Sequence, residues 1–97
     1  MLELDIIDES GGWHRFSFEA SAIDVGRDPD VHLVLPAPNV SNEHCRLAAK
    51  GGKVVLTDLG STNGTFVNGV RVRAPVVIGH DDRISVGPYV LLLAKEH

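Results

Sequence analysis

Apolar and polar residues alternate with a period of two along most of this chain, and the three-to-four-residue spacing of an amphipathic helix is almost absent. Leu2, Leu4 and Ile6 alternate with Glu3 and Asp5, which predicts a half-buried strand. Ser10-Gly11-Gly12 reads as a turn. His14, Phe16 and Phe18, alternating with Arg15, Ser17 and Glu19, read as the returning strand of a hairpin. Short extended segments follow at residues 22–25 and 32–35. The second is broken by Pro36-Ala37-Pro38-Asn39, because proline has no N–H to give a sheet ladder. Residues 45–49 and 53–57 flank Gly51-Gly52, and residues 65–67 and 70–72 flank Asn68-Gly69. Both sets predict hairpins. Residues 76–78, 83–86 and 89–93 complete a set of about ten or eleven short strands, the signature of an all-β sandwich or barrel. A doubly wound α/β fold would need helices of about ten residues between the strands. The one stretch that offers itself is 39–50, which Ser41 would cap.

From the end of the first of these two hairpins through the turn of the second runs the densest turn chemistry in the chain, residues 58–69, with Asn-Gly pairs at Asn63-Gly64 and Asn68-Gly69. Both residue types accept positive φ at low cost, so two reversals are expected here. They would hold Ser61, Thr62 and Asn63 at the tip of a rigid loop. Such a tip suits an oxygen-rich ligand.

Length and composition narrow the picture. Ninety-seven residues, 43% of them apolar, make one small domain with a real core, spanning 1–97. No apolar run approaches the ~20 residues that cross a bilayer. The acids at Glu3 and Asp5 and the lack of an early basic stretch predict no secretory signal. A single cysteine, Cys45, excludes an internal disulfide and fits a reducing, cytoplasmic compartment; it is expected in the core. Trp13, Phe16, Phe18 and Phe66 are expected to serve core or hairpin packing. The net charge of −4 argues against nucleic acid, so any anion site must be local. Histidines 14, 32, 44, 80 and 97 show no metal-ligand spacing, and neither a metal nor a cofactor is expected.

Four separated motifs then appear in order: Gly26-Arg27 at the end of a short strand; Ser41-Asn42-Glu43-His44; Asp58-Leu59-Gly60-Ser61-Thr62-Asn63-Gly64-Thr65-Phe66-Val67-Asn68-Gly69; and residues 78–87, Ile78 to Gly87. Together they resemble the forkhead-associated (FHA) domain, a phosphothreonine-peptide binding module with an antiparallel β-sandwich fold. The resemblance implies a site made of loops at one end of the sandwich. Arg27 and Ser41 would bind phosphate and Thr62 would add a donor. Asn63 would hold the peptide main chain, and Asn42 and Ser61 would line the pocket. Gly26, His44, Gly64, Asn68 and Gly69 match positions that are structural in the family, His44 as a brace between loops. The implied partner is a phosphothreonine-containing protein, met in trans or as part of the same parent chain. Such domains commonly sit inside larger signalling proteins. The fourth motif departs from the family's usual Gly-Asp by inserting His80, which is expected to lengthen that turn.

The chemistry of these residue types is consistent with that role. A phosphothreonine carries about −1.5 to −2 charge and three strong acceptor oxygens. Arginine meets it with a rigid donor fork that stays charged. Asp28 and Glu43 would oppose the dianion if their side chains faced the pocket. Three other readings of the same residues remain. Arg27 can be a surface arginine paired with Asp24 or Asp28. The fold can serve a phosphate-independent docking module or self-associate through a sheet face. Ser41 and His44, with a remote Asp58, can imitate a hydrolase triad, although no Gly-x-Ser-x-Gly elbow is present. Arg71 and Arg73, just beyond Asn68-Gly69, are candidates for favouring an acidic residue C-terminal to the phosphothreonine.

Overall fold

A computed structural model describes residues 2–94; Met1 and residues 95–97, with His97 of the histidine set, lie outside the described residues. The period-two pattern becomes eleven strands: β1 (Leu2–Ile7), β2 (Trp13–Phe18), β3 (Ala22–Gly26), β4 (Leu33–Val34), β5 (Cys45–Lys50), β6 (Lys53–Asp58), β7 (Thr65–Val67), β8 (Val70–Arg71), β9 (Val76–Ile78), β10 (Ile84–Val86) and β11 (Tyr89–Leu93). They form two sheets, ordered β2-β1-β11-β10-β7-β8 and β4-β3-β5-β6-β9. Every pairing is antiparallel except β3 with β4, where Val25 and Gly26 run parallel to Leu33 and Val34. Among the described residues there is no helix. The stretch 39–50 is a loop running into β5, because Cys45 and Leu47 alternate inward against β3 and β6. No described helix is long and apolar enough to cross a membrane.

The core fills the space between the sheets. Leu4, Ile23, Leu47, Leu56, Ile84 and Leu91 are completely buried there, together with Cys45. Full burial of each large aliphatic contributes about 1.5–3 kcal/mol relative to leaving it in water. The aromatics divide between the two roles expected of them, core and hairpin, and Trp13 stands outside the core. Trp13 is 61% exposed and Phe16 41% exposed, so neither belongs to the core. Both sit on β2, an edge strand of the wider sheet, where six strands face five and cover runs out. Phe16 and Phe18 do pack along the hairpin, their rings stacked with centroids 6.4 Å apart.

Three hairpin turns fix the register. Gly51 and Gly52 have φ of 56° and 78°, and Asn68 and Gly69 have φ of 52° and 84°. Positive φ at both central residues is the geometry whose twist matches paired strands. Gly87, at φ 55° before Pro88, turns β10 into β11. Asn63-Gly64 is not a second hairpin: Asn68 is the one described non-glycine residue at positive φ, and Gly64 alone bends (φ 93°). The second expected reversal is thus a loop that enters β7, held from its sides instead of by its own turn. The His80 insertion is absorbed. Asp82 closes residues 79–82 by accepting from Gly79 N (2.8 Å) and donating its own N–H to Gly79 O. Asp82 Oδ1 accepts from Asn68 Nδ2 (2.9 Å), and Asn68 Oδ1 accepts from Arg83 N (3.0 Å). Asn68 therefore ties the β7–β8 turn to the start of β10.

Candidate functional site

Three loops meet at one end of the sandwich, after β3, before β5 and between β6 and β7. Their contact begins with Gly26. A side chain there would place its Cβ 2.0 Å from the carbonyl oxygen of Asn42. Glycine lets the backbones touch, so Arg27 N donates to Ser41 O (2.9 Å) and Asp28 N to Asn42 O (3.2 Å). Arg27 and Ser41 are thereby fixed side by side by their main chains.

His44, fully buried, binds this pair to the third loop. Its Nδ1 accepts from Ser41 N (3.0 Å), so the ring proton must sit on Nε2, which donates to Gly64 O (2.9 Å). One neutral imidazole thus spans two loops that are twenty residues apart in sequence. The third loop is shaped by Asp58. Its Oδ1 accepts the hydroxyls of Ser61 (2.5 Å) and Thr65 (2.7 Å), and its Oδ2 accepts Gly60 N (3.0 Å) and Ser61 N (3.1 Å). Burial pushes this carboxyl up, but the hydrogen bonds from Ser61, Thr65 and Gly60 outweigh it and hold it below its ordinary value.

Arg27, Ser41, Asn42, Thr62 and Asn63 line one open depression of about 300 Å³. Ser41 Oγ accepts from Thr62 N (3.0 Å), which leaves its own proton free to point outward. Asn63 Nδ2 donates to Asn39 O (3.0 Å), which leaves its Oδ1 for an incoming N–H. Arg27 is exposed and has no ion-pair partner among the described residues. The pairing of Arg27 with Asp24 or Asp28 is therefore absent. Asp24 is gripped by Arg46 through two bonds of 2.7 and 3.3 Å, and those hydrogen bonds lower its pKa. Asp28 turns back on its own loop and accepts from Asp30 N (2.8 Å). Neither it nor Glu43 lines the depression.

Ser61 is a correction. It was expected to line the pocket, but it is buried and its hydroxyl is spent on Asp58, so it shapes the loop from behind. Gly64, Asn68 and Gly69 lie outside the depression, as do Gly26 and His44, which hold its loops. The triad is a second correction. Both ring nitrogens of His44 are bonded to backbone, and Asp58 is engaged by Ser61 and Thr65, so neither is free to act as a base on the Ser41 hydroxyl. The described residues hold no cluster of metal-ligating groups. Sequence reasoning missed Asn39, with Pro38 and Val40, as part of the lining. Pro36-Ala37-Pro38-Asn39 reads in the sequence as a strand breaker, and only the Asn63 bond reveals its second use.

Known proteins share this fold. The family model of the FHA domain matches residues 23–87, which contain all the loops just described. The chain is 33% identical over 81 residues to the glycogen accumulation regulator GarA of Mycolicibacterium smegmatis, covering 80% of this chain and 49% of GarA. It superimposes with a TM-score of 0.83 on the FhaA FHA domain solved in complex with the intracellular domain of Rv3910, at 29% identity, covering 97% of this chain and 100% of that one. Mycobacterium tuberculosis EmbR, solved with a low affinity phosphopeptide, matches with a TM-score of 0.80 and 29% identity over 99% of this chain and 26% of EmbR. The chain spans about half of GarA and about a quarter of EmbR. The match of that family model over residues 23–87, two thirds of the chain, on a shared two-sheet frame places the chain in the forkhead-associated (FHA) domain family.

Proposed function

We propose that this domain docks a phosphothreonine-bearing segment of another protein, or of the longer chain it belongs to, within cytoplasmic Ser/Thr kinase signalling, and that it binds without catalysing a reaction. The observation that carries this reading is Arg27. In a chain of net charge −4, a guanidinium with no carboxylate partner among the described residues shares one depression with Ser41 and the exposed Thr62. That set offers one positive charge and several neutral donors to an acceptor-only dianion. FHA domains are among the modules that read phosphorylated motifs through arginine, and EmbR, which this chain resembles over a quarter of EmbR's length, is solved in complex with a low affinity phosphopeptide. Asn42 offers its amide to the same ligand, and Asn63 Oδ1 stands ready for a peptide N–H.

Hydrogen bonds to a charged partner contribute about 1.5–3 kcal/mol each, so losing Arg27 should weaken binding about 10- to 150-fold. Calorimetric titration with a phosphothreonine peptide and its dephosphorylated form tests this. The reading requires binding that needs the phosphate and collapses in Arg27→Ala. Equal affinity for the two peptides, or an Arg27→Ala variant that binds like the parent, would overturn it.

A further inference from the structure

Strand β2 is an edge of the six-stranded sheet, and it lacks the devices that blunt an edge. Its residues, Trp13–Phe18, include no lysine, proline or glycine, and none has a positive φ. Its ladder to β1 runs unbroken from Leu2 opposite Phe18 to Ile7 opposite Trp13. Two bonds show which backbone groups the ladder uses. Asp8 N donates to Gly12 O (2.9 Å), and bonded pairs alternate along an antiparallel ladder, so His14, Phe16 and Phe18 turn their backbone groups toward β1. Glu3, opposite Ser17, gives its carbonyl to Ala94 N (2.9 Å), on the other side of β1. Trp13, Arg15 and Ser17 therefore turn N–H and C=O outward, toward no strand among the described residues.

The side chains suit the same edge. Phe16 and Phe18 lie opposite Leu4 and Leu2, on the core side of the sheet. The wider sheet overhangs the narrower one at β2, so Phe16 is 41% exposed while Leu4 beside it is fully buried. Arg15 is matched within its own chain by Asp5 (2.8 Å), so it does not repel a second copy of the strand.

We propose that β2 pairs antiparallel with β2 of a second copy of this chain, about a twofold axis at Phe16, joining two six-stranded sheets into one of twelve. An axis perpendicular to the sheet keeps its faces, so residues an even number of positions apart must meet. Centring on Arg15 would set like charges opposite each other. Centring on His14 or Ser17 would leave only three strand residues paired. Centring on Phe16 sets Arg15 opposite Ser17, whose outward groups then bond, and Phe16 opposite Phe16 in the close, non-bonded position. A second copy is the favoured occupant because β2 itself supplies the uncharged aromatic complement that its overhang lacks. One strand pair buries less than the ~1,600 Å² of a standard interface, so the dimer is a weak one, formed at about 0.1 mM.

Sedimentation velocity of the whole chain from about 10 μM to about 1 mM tests the pairing. The parent should shift toward the dimer over this range. Ser17→Pro removes an outward N–H and no bond to β1, so it should stay monomeric and melt near the parent. Register is read by mild oxidation. In the close position Cα atoms are ~4.5 Å apart, within disulfide reach, so Phe16→Cys should form a disulfide dimer. Ser17→Cys lies diagonally to its copy at ~7–8 Å and should not. Cys45 is buried and stays out of both reactions. A parent that is monomeric at about 1 mM overturns the proposal and leaves the edge to a strand of another protein. Equal crosslinking of the two cysteine variants, or a folded Ser17→Pro that dimerises like the parent, overturns it too. Should Ser17→Pro melt low, the cysteine pair alone decides.

Discussion

His44→Ala is the most searching perturbation, because it removes a brace without touching any group that would meet the ligand. The imidazole is fully buried and satisfies two backbone groups, Ser41 N and Gly64 O. Gly64 O is deprived in a buried setting, which costs about 1–3 kcal/mol; Ser41 N is partly reachable by water and should cost about 1 kcal/mol. The space left by the ring adds packing loss. The sum is about 3–5 kcal/mol, and since a domain of this size loses about 4–8 °C per kcal/mol, the melting temperature should fall by more than about 10 °C. Binding should fall further than folding explains. With the brace gone, Ser41 and the loop carrying Thr62 no longer share an anchor, and their common bond from Thr62 N to Ser41 Oγ loses its support. Differential scanning calorimetry and phosphopeptide titration at 10 °C, where the variant is still folded, separate the two effects. A variant melting within about 2 °C of the parent would refute the burial argument. One that melts low yet binds with parental affinity would refute the claim that His44 sets the site.

Gly26→Ala should destabilise the domain by about 1–3 kcal/mol and weaken phosphopeptide binding, since a Cβ 2.0 Å from Asn42 O forces the Ser41-Asn42 segment outward; urea denaturation and titration check both. Asp5, Asp24 and Asp82 are held below the ordinary carboxylate range by hydrogen bonds from Arg15, from Arg46 and from Gly79 N, and Asp58 by bonds that outweigh its burial. A depressed folded pKa gives stability that is present above the unfolded value and lost as pH falls through the folded one, so the urea midpoint should be flat to about pH 5 and decline below about pH 4. Asp58→Asn should cost about 2 kcal/mol at neutral pH, because its amide faces the Gly60 and Ser61 donors, and should shrink that acid decline. Cys45 is pushed up to about 12 by burial and by the nearby Asp58. Labelling by a disulfide reagent at pH 8 should therefore follow global unfolding, and fast labelling of the native protein would contradict that placement.

The frame was legible because its signals are local. Leu2, Leu4 and Ile6 declare their face by alternation, and Gly51-Gly52 and Asn68-Gly69 declare their turns by backbone chemistry. Exposure of Trp13 and Phe16 was not legible, since it depends on β2 lying at a sheet edge, a fact of topology and not of residue type. The site divides the same way. Arg27, Ser41, Thr62 and Asn63 stood out by motif, but Ser61 and Thr62 are neighbours of equal polarity. Only the position of Asp58 sends one hydroxyl inward and leaves the other exposed. Asp58-x-x-Ser61 is a local side-chain to backbone pattern, so that correction had a readable signal; the bond from Asn63 to Asn39 had none.

Why the loops are braced so heavily follows from the charge they would have to hold. The chain is net negative, and a dianion approaching it gains no long-range help beyond the ~8–10 Å screening length. Attraction must come from contacts made simultaneously. An exposed guanidinium alone gives about 0–1 kcal/mol with a carboxylate, too little to hold a peptide against its ordering cost. A phosphate adds acceptors that Ser41 and Thr62 can meet at the same time as Arg27, but only if those donors already share one geometry before the ligand arrives. The braces supply that geometry: Gly26 through its missing side chain, His44 through its fixed tautomer, Asp58 through a carboxylate turned onto its own loop. Placing the buried imidazole of His44 and the saturated carboxylate of Asp58 behind the loops keeps both from competing with the ligand. Dependence on phosphate is then a property of the scaffold as much as of Arg27.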